Sequence, residues 1–189
     1  MLKSGREYLL GYLAWYKSAQ SAYYGGILVT NDKGVPREFR HTSGITPLPV
    51  QSILYGDSLE VSIGSDAIAP ALIGALQQKP DILLINTQGR KLFGRFVSEH
   101  PPAALIELLD DPEKALPYSL YDGGDLLTAL SLKHPGSSSE HLFAYLLDDN
   151  DENGHICLNQ AHNTMNLYSP FQRIHDVLNL IDKKGAGLG

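Results

Sequence analysis

The sequence predicts an α/β (α+β) domain: a mixed β-sheet with helices packed on it. Three observations carry this. Tyr23–Arg40 reads as a hairpin, with an apolar run, an Asn31-Asp32-Lys33-Gly34 turn and a charged, alternating run. Ile82-Leu83-Leu84-Ile85 is a continuous apolar run of the kind found in strands buried on both faces. Stretches with helical spacing or helix-start signals lie between and after these runs, as at Val50–Tyr55 and Phe171–Ile181.

In order along the chain, Leu2, Leu9, Leu10, Leu13 and Tyr16 fall near helical spacing, and residues 3–21 are expected to form an amphipathic helix. Lys3 and Arg6 before a short apolar run, then Ala19-Gln20-Ser21-Ala22, have the outline of a secretory leader. Glu7 interrupts the basic segment, however, and Lys17 follows closely, so an ordinary helix is the reading adopted. Gly25-Gly26 ends that helix and admits a close-packed strand at Ile27-Leu28-Val29. Pro36 lacks an N–H, so the second hairpin strand is expected to begin at a sheet edge or just after it. A helix starts at Val50; Pro70 demands a break or kink nearby, and Ser65 or Asp66 is expected to cap a second helix that runs to about Gln78. Asn86-Thr87-Gln88-Gly89 is a turn, and residues 90–100 carry no decisive pattern. Pro101-Pro102 is expected to open a helix through Leu109. Leu126–Leu132, Leu142–Leu147 and Ile156–Leu158 read as strands, and Phe171–Ile181 as the final helix.

The hairpin has an echo. Tyr145-Leu146-Leu147, a polar turn ending at Gly154, a strand, and Pro170-Phe171-Gln172-Arg173-Ile174 repeat the order that ends in Pro49-Val50-Gln51-Ser52-Ile53. The expected organisation is one globular domain, 1–184, with halves 1–100 and 101–184 as two candidate ββα units and 185–189 as a disordered tail.

Length and composition bound the function. The chain has 189 residues, 43% of them hydrophobic, and a net charge of −6. That charge argues against a broad nucleic-acid surface, because phosphate binding draws on clustered Lys and Arg; a small basic patch remains compatible with it. The single cysteine, Cys157, forms no intrachain disulfide and suits a reducing, cytoplasmic setting. No apolar run approaches the roughly 20 residues that span a bilayer.

Several groups are candidate sites. Asp149, Asp151 and Asn153, with Gly154, match the first half of a calcium loop, although Gln160 stands where a bidentate Glu closes such loops. On a strand, His155 and Cys157 would share a face, and with His162 they offer part of a zinc set. Cys157 is also a candidate nucleophile, but without a helix start to activate it. Tyr118, Tyr121, Asp122 and Asp125 surround Gly123-Gly124 as a candidate pocket lining. Arg90, Lys91 and Arg95 form a local basic patch. There is no Walker loop, no dinucleotide fingerprint and no nucleophile elbow.

Two resemblances add to this. GGILVTNDKGVPREFR followed by PLPVQSILYG, about residues 24–56, resembles the opening block of a family of uncharacterised bacterial proteins and implies no activity. The order hairpin, helix, then PDILLINTQG resembles the central layout of endonuclease V-like, RNase H-type nucleases, in which the corresponding strand closes with a metal-binding Asp before a Gly-x-Gly turn. Here Asn86 holds that place and Thr87 replaces the first glycine. The expectation is therefore a non-catalytic interaction subunit of a bacterial multi-protein assembly, with protein partners and no cofactor. The alternatives are a degenerate RNase H-like protein acting on nucleic acid, with Asp57, Asp66 or Asp81 beside the basic patch, and a metal-stabilised binding domain.

Overall fold

The computed structural model describes residues 6–100, 102–109, 118–119, 126–127, 129–132, 141–146 and 151–186. Its centre is a seven-stranded mixed sheet in the order β3-β2-β1-β4-β5-β9-β8. The strands are β1 (Leu9–Lys17), β2 (Tyr23–Asn31), β3 (Pro36–His41), β4 (Ile82–Asn86), β5 (Ala103–Leu109), β8 (Ala129–Leu132) and β9 (His141–Leu146). A separate two-stranded ladder pairs β6 (Tyr118–Ser119) with β7 (Leu126–Leu127). β1, β4 and β5 run parallel, while β2, β3, β8 and β9 join by antiparallel pairs. Strands from both halves of the chain thus share one sheet.

The hairpin is as expected. Asn31 accepts backbone N–H bonds from Lys33 and Val35 through its side chain, and Gly34 takes a positive φ of 77° that closes the turn. Pro36 begins the edge strand β3.

Helices cover both faces. One face of the sheet, with Leu10, Tyr12, Ile82, Leu84 and Ile106, packs against α5 (Glu152–Thr164) and α6 (Ser169–Ala186). The other, with Leu13, Ile27, Leu83, Ile85 and Leu105, packs against the segment from Ile63 to Leu72 and against α4 (Arg90–Ser98). Between β3 and β4 the chain forms α1 (Pro49–Tyr55), a 3-10 turn (Gly56–Ser58), α2 (Leu59–Val61), a π-helical stretch (Ser62–Ile68) and α3 (Ala69–Ala75). The break expected from Pro70 is this π stretch, which widens the helix just ahead of a residue that has no N–H to donate; Ser65 and Asp66 lie inside it and do not cap a helix.

Four expectations are corrected. Residues 9–17 form a central strand, not a helix, because the run is buried on both faces and shows no alternation. Residues 103–109 also form a parallel strand, flanked by β4 and β9, and that pairing overrides the helix preference of Ala and Leu. Residues 152–164 are helical, so β9 is followed by α5 and the echo does not fold as a second ββα unit. Finally, α6 runs on to Ala186, into the segment expected to be a loose tail.

Candidate functional site at the carboxyl edge of the sheet

In open α/β sheets, ligands bind beyond the carboxyl ends of the parallel strands. Here that edge is built from the ends of β1 and β4. Lys17 closes β1 and pairs in register with Tyr23, the first residue of β2. Asn86 closes β4, and its side chain accepts the Gly89 N–H at 2.9 Å, capping the short turn that leads into α4. The indole N–H of Trp15 donates to the Gln88 carbonyl at 2.9 Å and ties the two strand ends together.

On one side of this edge lies a charged cluster. Glu60 of α2 accepts a bond from the Tyr23 hydroxyl at 3.0 Å and an ion pair from Lys91 Nζ at 2.8 Å, and Lys17 Nζ lies 3.9 Å away. Lys17 also sits over the Tyr23 ring, 4.8 Å from its centroid, and Trp15 stacks on the same ring at 5.9 Å. The Lys91 bond holds the Glu60 carboxyl below its ordinary value. The bond to Glu60 raises Lys91, and Tyr23 is the main cause of the raised Lys17 value. Two ammonium groups therefore face one carboxylate, both fixed in the charged form.

On the other side is a cavity of about 150 Å³ between the end of β4 and α6, lined by Asn86, Gln88, Tyr168, Phe171, Gln172 and His175. Among the described residues its lining is aromatic and amide-bearing, with one imidazole and no carboxylate. Glu107, buried one strand over, accepts the Tyr145 hydroxyl at 3.0 Å.

The residues singled out from sequence are distributed as follows. Lys91 belongs to the edge cluster, and Arg90 opens α4 beside it. Arg95 is ion-paired with Asp66, so the basic patch is not a uniform cationic surface. Asp81 lies before β4, at the opposite end of the sheet, bonded to Arg6 and to the Leu9 N–H. Asp57 sits in the exposed 3-10 turn, so Asp57, Asp66 and Asp81 do not converge. Asp151 is the N-cap of α5, its side chain accepting from Gly154, and Asn153 lies in the first turn of that helix; Asp149 is outside the described residues. His155 and Cys157, two apart on a helix rather than a strand, point to different faces, and Cys157 is buried. Burial pushes its thiol up to about 12, the reverse of an activated nucleophile. No group of three or more His, Cys, Asp or Glu side chains suited to a metal occurs among the described residues. Tyr118 falls in β6, while Tyr121, Asp122 and Asp125 lie outside the described residues. Among the described residues no helix is long and apolar enough to cross a membrane.

Sequence reasoning missed Lys17, Tyr23, Trp15 and Glu60 as a group, since β1 and β2 lie tens of residues from α2 and α2 tens of residues from Lys91.

The chain is similar to endonuclease V. The Ciona intestinalis enzyme, solved with a 23mer DNA containing an inosine followed by a ribo-adenosine, aligns with a TM-score of 0.53 at 10% identity, over 96% of this chain and 88% of that one. Human endonuclease V aligns with a TM-score of 0.51 at 10% identity, over 96% and 86%. The catalytic domain of the human protein gives 0.52 at 14% identity, over 98% and 86%. No family model and no curated protein matches the sequence. The class is therefore an endonuclease V-like mixed α/β fold, shared at the level of structure.

Proposed function

We propose that this chain is a non-catalytic nucleic-acid-binding protein that holds a single strand against the carboxyl edge of an endonuclease V-like sheet. The observation that carries the reading is the pair Lys17 and Lys91 set around one carboxylate, beside the half-buried, stacked Trp15. Phosphate oxygens compete with Glu60 for the two ammonium groups, which outnumber the carboxylate they face, and a base stacks on the indole, the combination that single-strand sites use. The fold similarity to proteins of which one was solved on DNA supports the choice of ligand.

Cleavage is not part of the reading. Two-metal phosphodiester chemistry needs convergent carboxylates. Asn86 caps a turn where the resembled nucleases carry a metal-binding Asp. Glu60 is engaged by Lys91 and Tyr23. The protein needs no cofactor in this role, and its one buried thiol suits work in the cytoplasm.

Two phosphate contacts to a single strand give a salt slope of about −1.4 in log K against log salt. Fluorescence anisotropy of a labelled single strand across a salt series measures it. Lys17→Ala and Lys91→Ala are each expected to reduce the slope by about 0.7. Absence of binding at low salt, or a slope indifferent to both substitutions, overturns the reading.

A second reading, a non-catalytic subunit of a bacterial multi-protein assembly, draws on α1, whose Val50, Ile53, Leu54 and Tyr55 side chains are exposed. Co-purification from the native host tests it; elution as a lone monomer counts against it.

A further inference from the structure

The cavity between the end of β4 and α6 has the parts of a site for one flat ring. Asn86 lines it and is only 5% exposed. Its amide is fixed in orientation: Oδ1 accepts the Gly89 N–H at 2.9 Å, so Nδ2 is left to donate, and among the described residues nothing accepts from it. A buried donor of this kind calls for an acceptor. Gln172 offers the complement. Its Nε2 donates to Asp176 Oδ1 at 2.9 Å, which leaves Oε1 to accept.

The aromatic wall is preformed. Asn166 Oδ1 accepts the Tyr168 N–H at 2.9 Å and holds that residue at the start of α6. The half-buried Tyr168 ring tilts against Phe171 at 5.7 Å, and Phe171 stands edge-on to Tyr12 at 5.2 Å. At about 150 Å³ the space equals that of an apolar cavity that accepts benzene, so it admits one six-membered ring and not a fused pair. Gln88 joins this pocket to the strand-binding edge: its side chain lines the pocket while its carbonyl accepts the Trp15 indole N–H at 2.9 Å.

We propose that the pocket takes one unpaired pyrimidine of the strand held at the carboxyl edge, next to the base that stacks on Trp15, and so makes the chain prefer pyrimidine to purine single strands. A pyrimidine lays its face on the aromatic wall and turns an edge bearing both acceptor and donor groups to Asn86 and Gln172. No carboxylate among the described lining residues repels the phosphates on either side of it. The inference rests on the single-strand reading above and adds the class of base that the edge selects.

Fluorescence anisotropy of labelled oligo-dT, oligo-dC and oligo-dA of equal length, at low salt, tests it. A base seated on an aromatic wall is worth about tenfold in affinity, so oligo-dT and oligo-dC are each expected to bind about tenfold more tightly than oligo-dA. Stiffness of the purine strand alone would give a preference that is indifferent to the pocket, so the ratio is measured again in two variants. Tyr168→Ala removes the wall and is expected to bring the ratio close to one. Gln172→Leu, at an exposed position, removes one hydrogen bond and is expected to lower the ratio about threefold. If Tyr168→Ala loses the native circular dichroism spectrum, Gln172→Leu decides alone. Equal affinity for all three strands, with the salt slope still dependent on Lys17 and Lys91, overturns the pocket and leaves the edge reading standing. A pyrimidine preference that survives the substitutions also overturns the pocket, since it then belongs to the strand. Failure of every strand to bind overturns both.

Discussion

Gly64 is where the helical layer that carries Glu60 crosses α4, which carries Lys91. A Cβ built there would lie 2.4 Å from the Leu92 carbonyl oxygen and 2.6 Å from Leu92 Cβ. The obstruction includes backbone, and Ser65 locks the same crossing by donating its hydroxyl to Leu92 O at 2.6 Å. Gly64→Ala must therefore push the π stretch away from α4 by more than half an ångström. Overpacking of this kind costs about 1–3 kcal/mol, and a backbone obstacle puts it at the upper end. Alanine returns about 1 kcal/mol of helix propensity, leaving a net loss of about 2 kcal/mol. Gly74→Ala in α3 is the control: among the described residues nothing lies within 4 Å of the new Cβ, and a gain of about 0.5 kcal/mol is expected. Urea unfolding with an unchanged m-value measures both. If Gly64→Ala matches or exceeds the wild type in stability, the crossing is not as tight as described and the placement of Glu60 against Lys91 loses its support.

Asn86→Ala removes the cap on the Gly89 N–H and is expected to cost about 1 kcal/mol in the same assay. Glu38, bonded first by the Gln78 and then by the Gln77 backbone N–H, and Glu60 both have folded values lowered from the ordinary 4.5. Their stabilisation is complete above the unfolded carboxylate range and is lost as pH falls through the folded values; Glu38→Gln is expected to flatten the acid limb of a urea-midpoint profile. Cys157 is buried, with its thiol pushed up to about 12, so a thiol reagent at pH 8 should label the native protein at the rate of its opening and the urea-unfolded chain at once. Rapid labelling of the folded protein contradicts its placement.

The hairpin, β4 and the final helix were legible because their signals are local: a polar turn with glycine, a bounded apolar run, a proline at a helix start. β1 was not. Leu9–Lys17 is buried between β2 and β4 with helices on both faces, so alternation is absent, and it contains no Val, Ile or Thr to mark a strand. Ala103–Leu109 reads as helix by propensity and becomes a strand only because β4 and β9 flank it. Conversely, α5 contains Gly, His and Asn, poor helix formers; it is held by the Asp151 cap and by burying Cys157, Leu158, Ala161 and His162 on one face. The edge cluster was half visible. Lys91 stood out in a run of basic residues, whereas Glu60 and Lys17 have no sequence neighbour that marks them. What brings them together is the sheet order, which places β1 beside β4, and no local pattern encodes that order.

Trp15 is the protein's single tryptophan and sits at the proposed binding edge. Its fluorescence during titration with a single-stranded oligonucleotide at low salt, with magnesium present and the strand recovered and sized afterwards, tests the central claim directly. The account predicts quenching that saturates, is lost in the Lys17→Ala/Lys91→Ala double variant, and leaves the strand intact. An unchanged tryptophan signal at low salt, or a strand recovered in pieces, contradicts it.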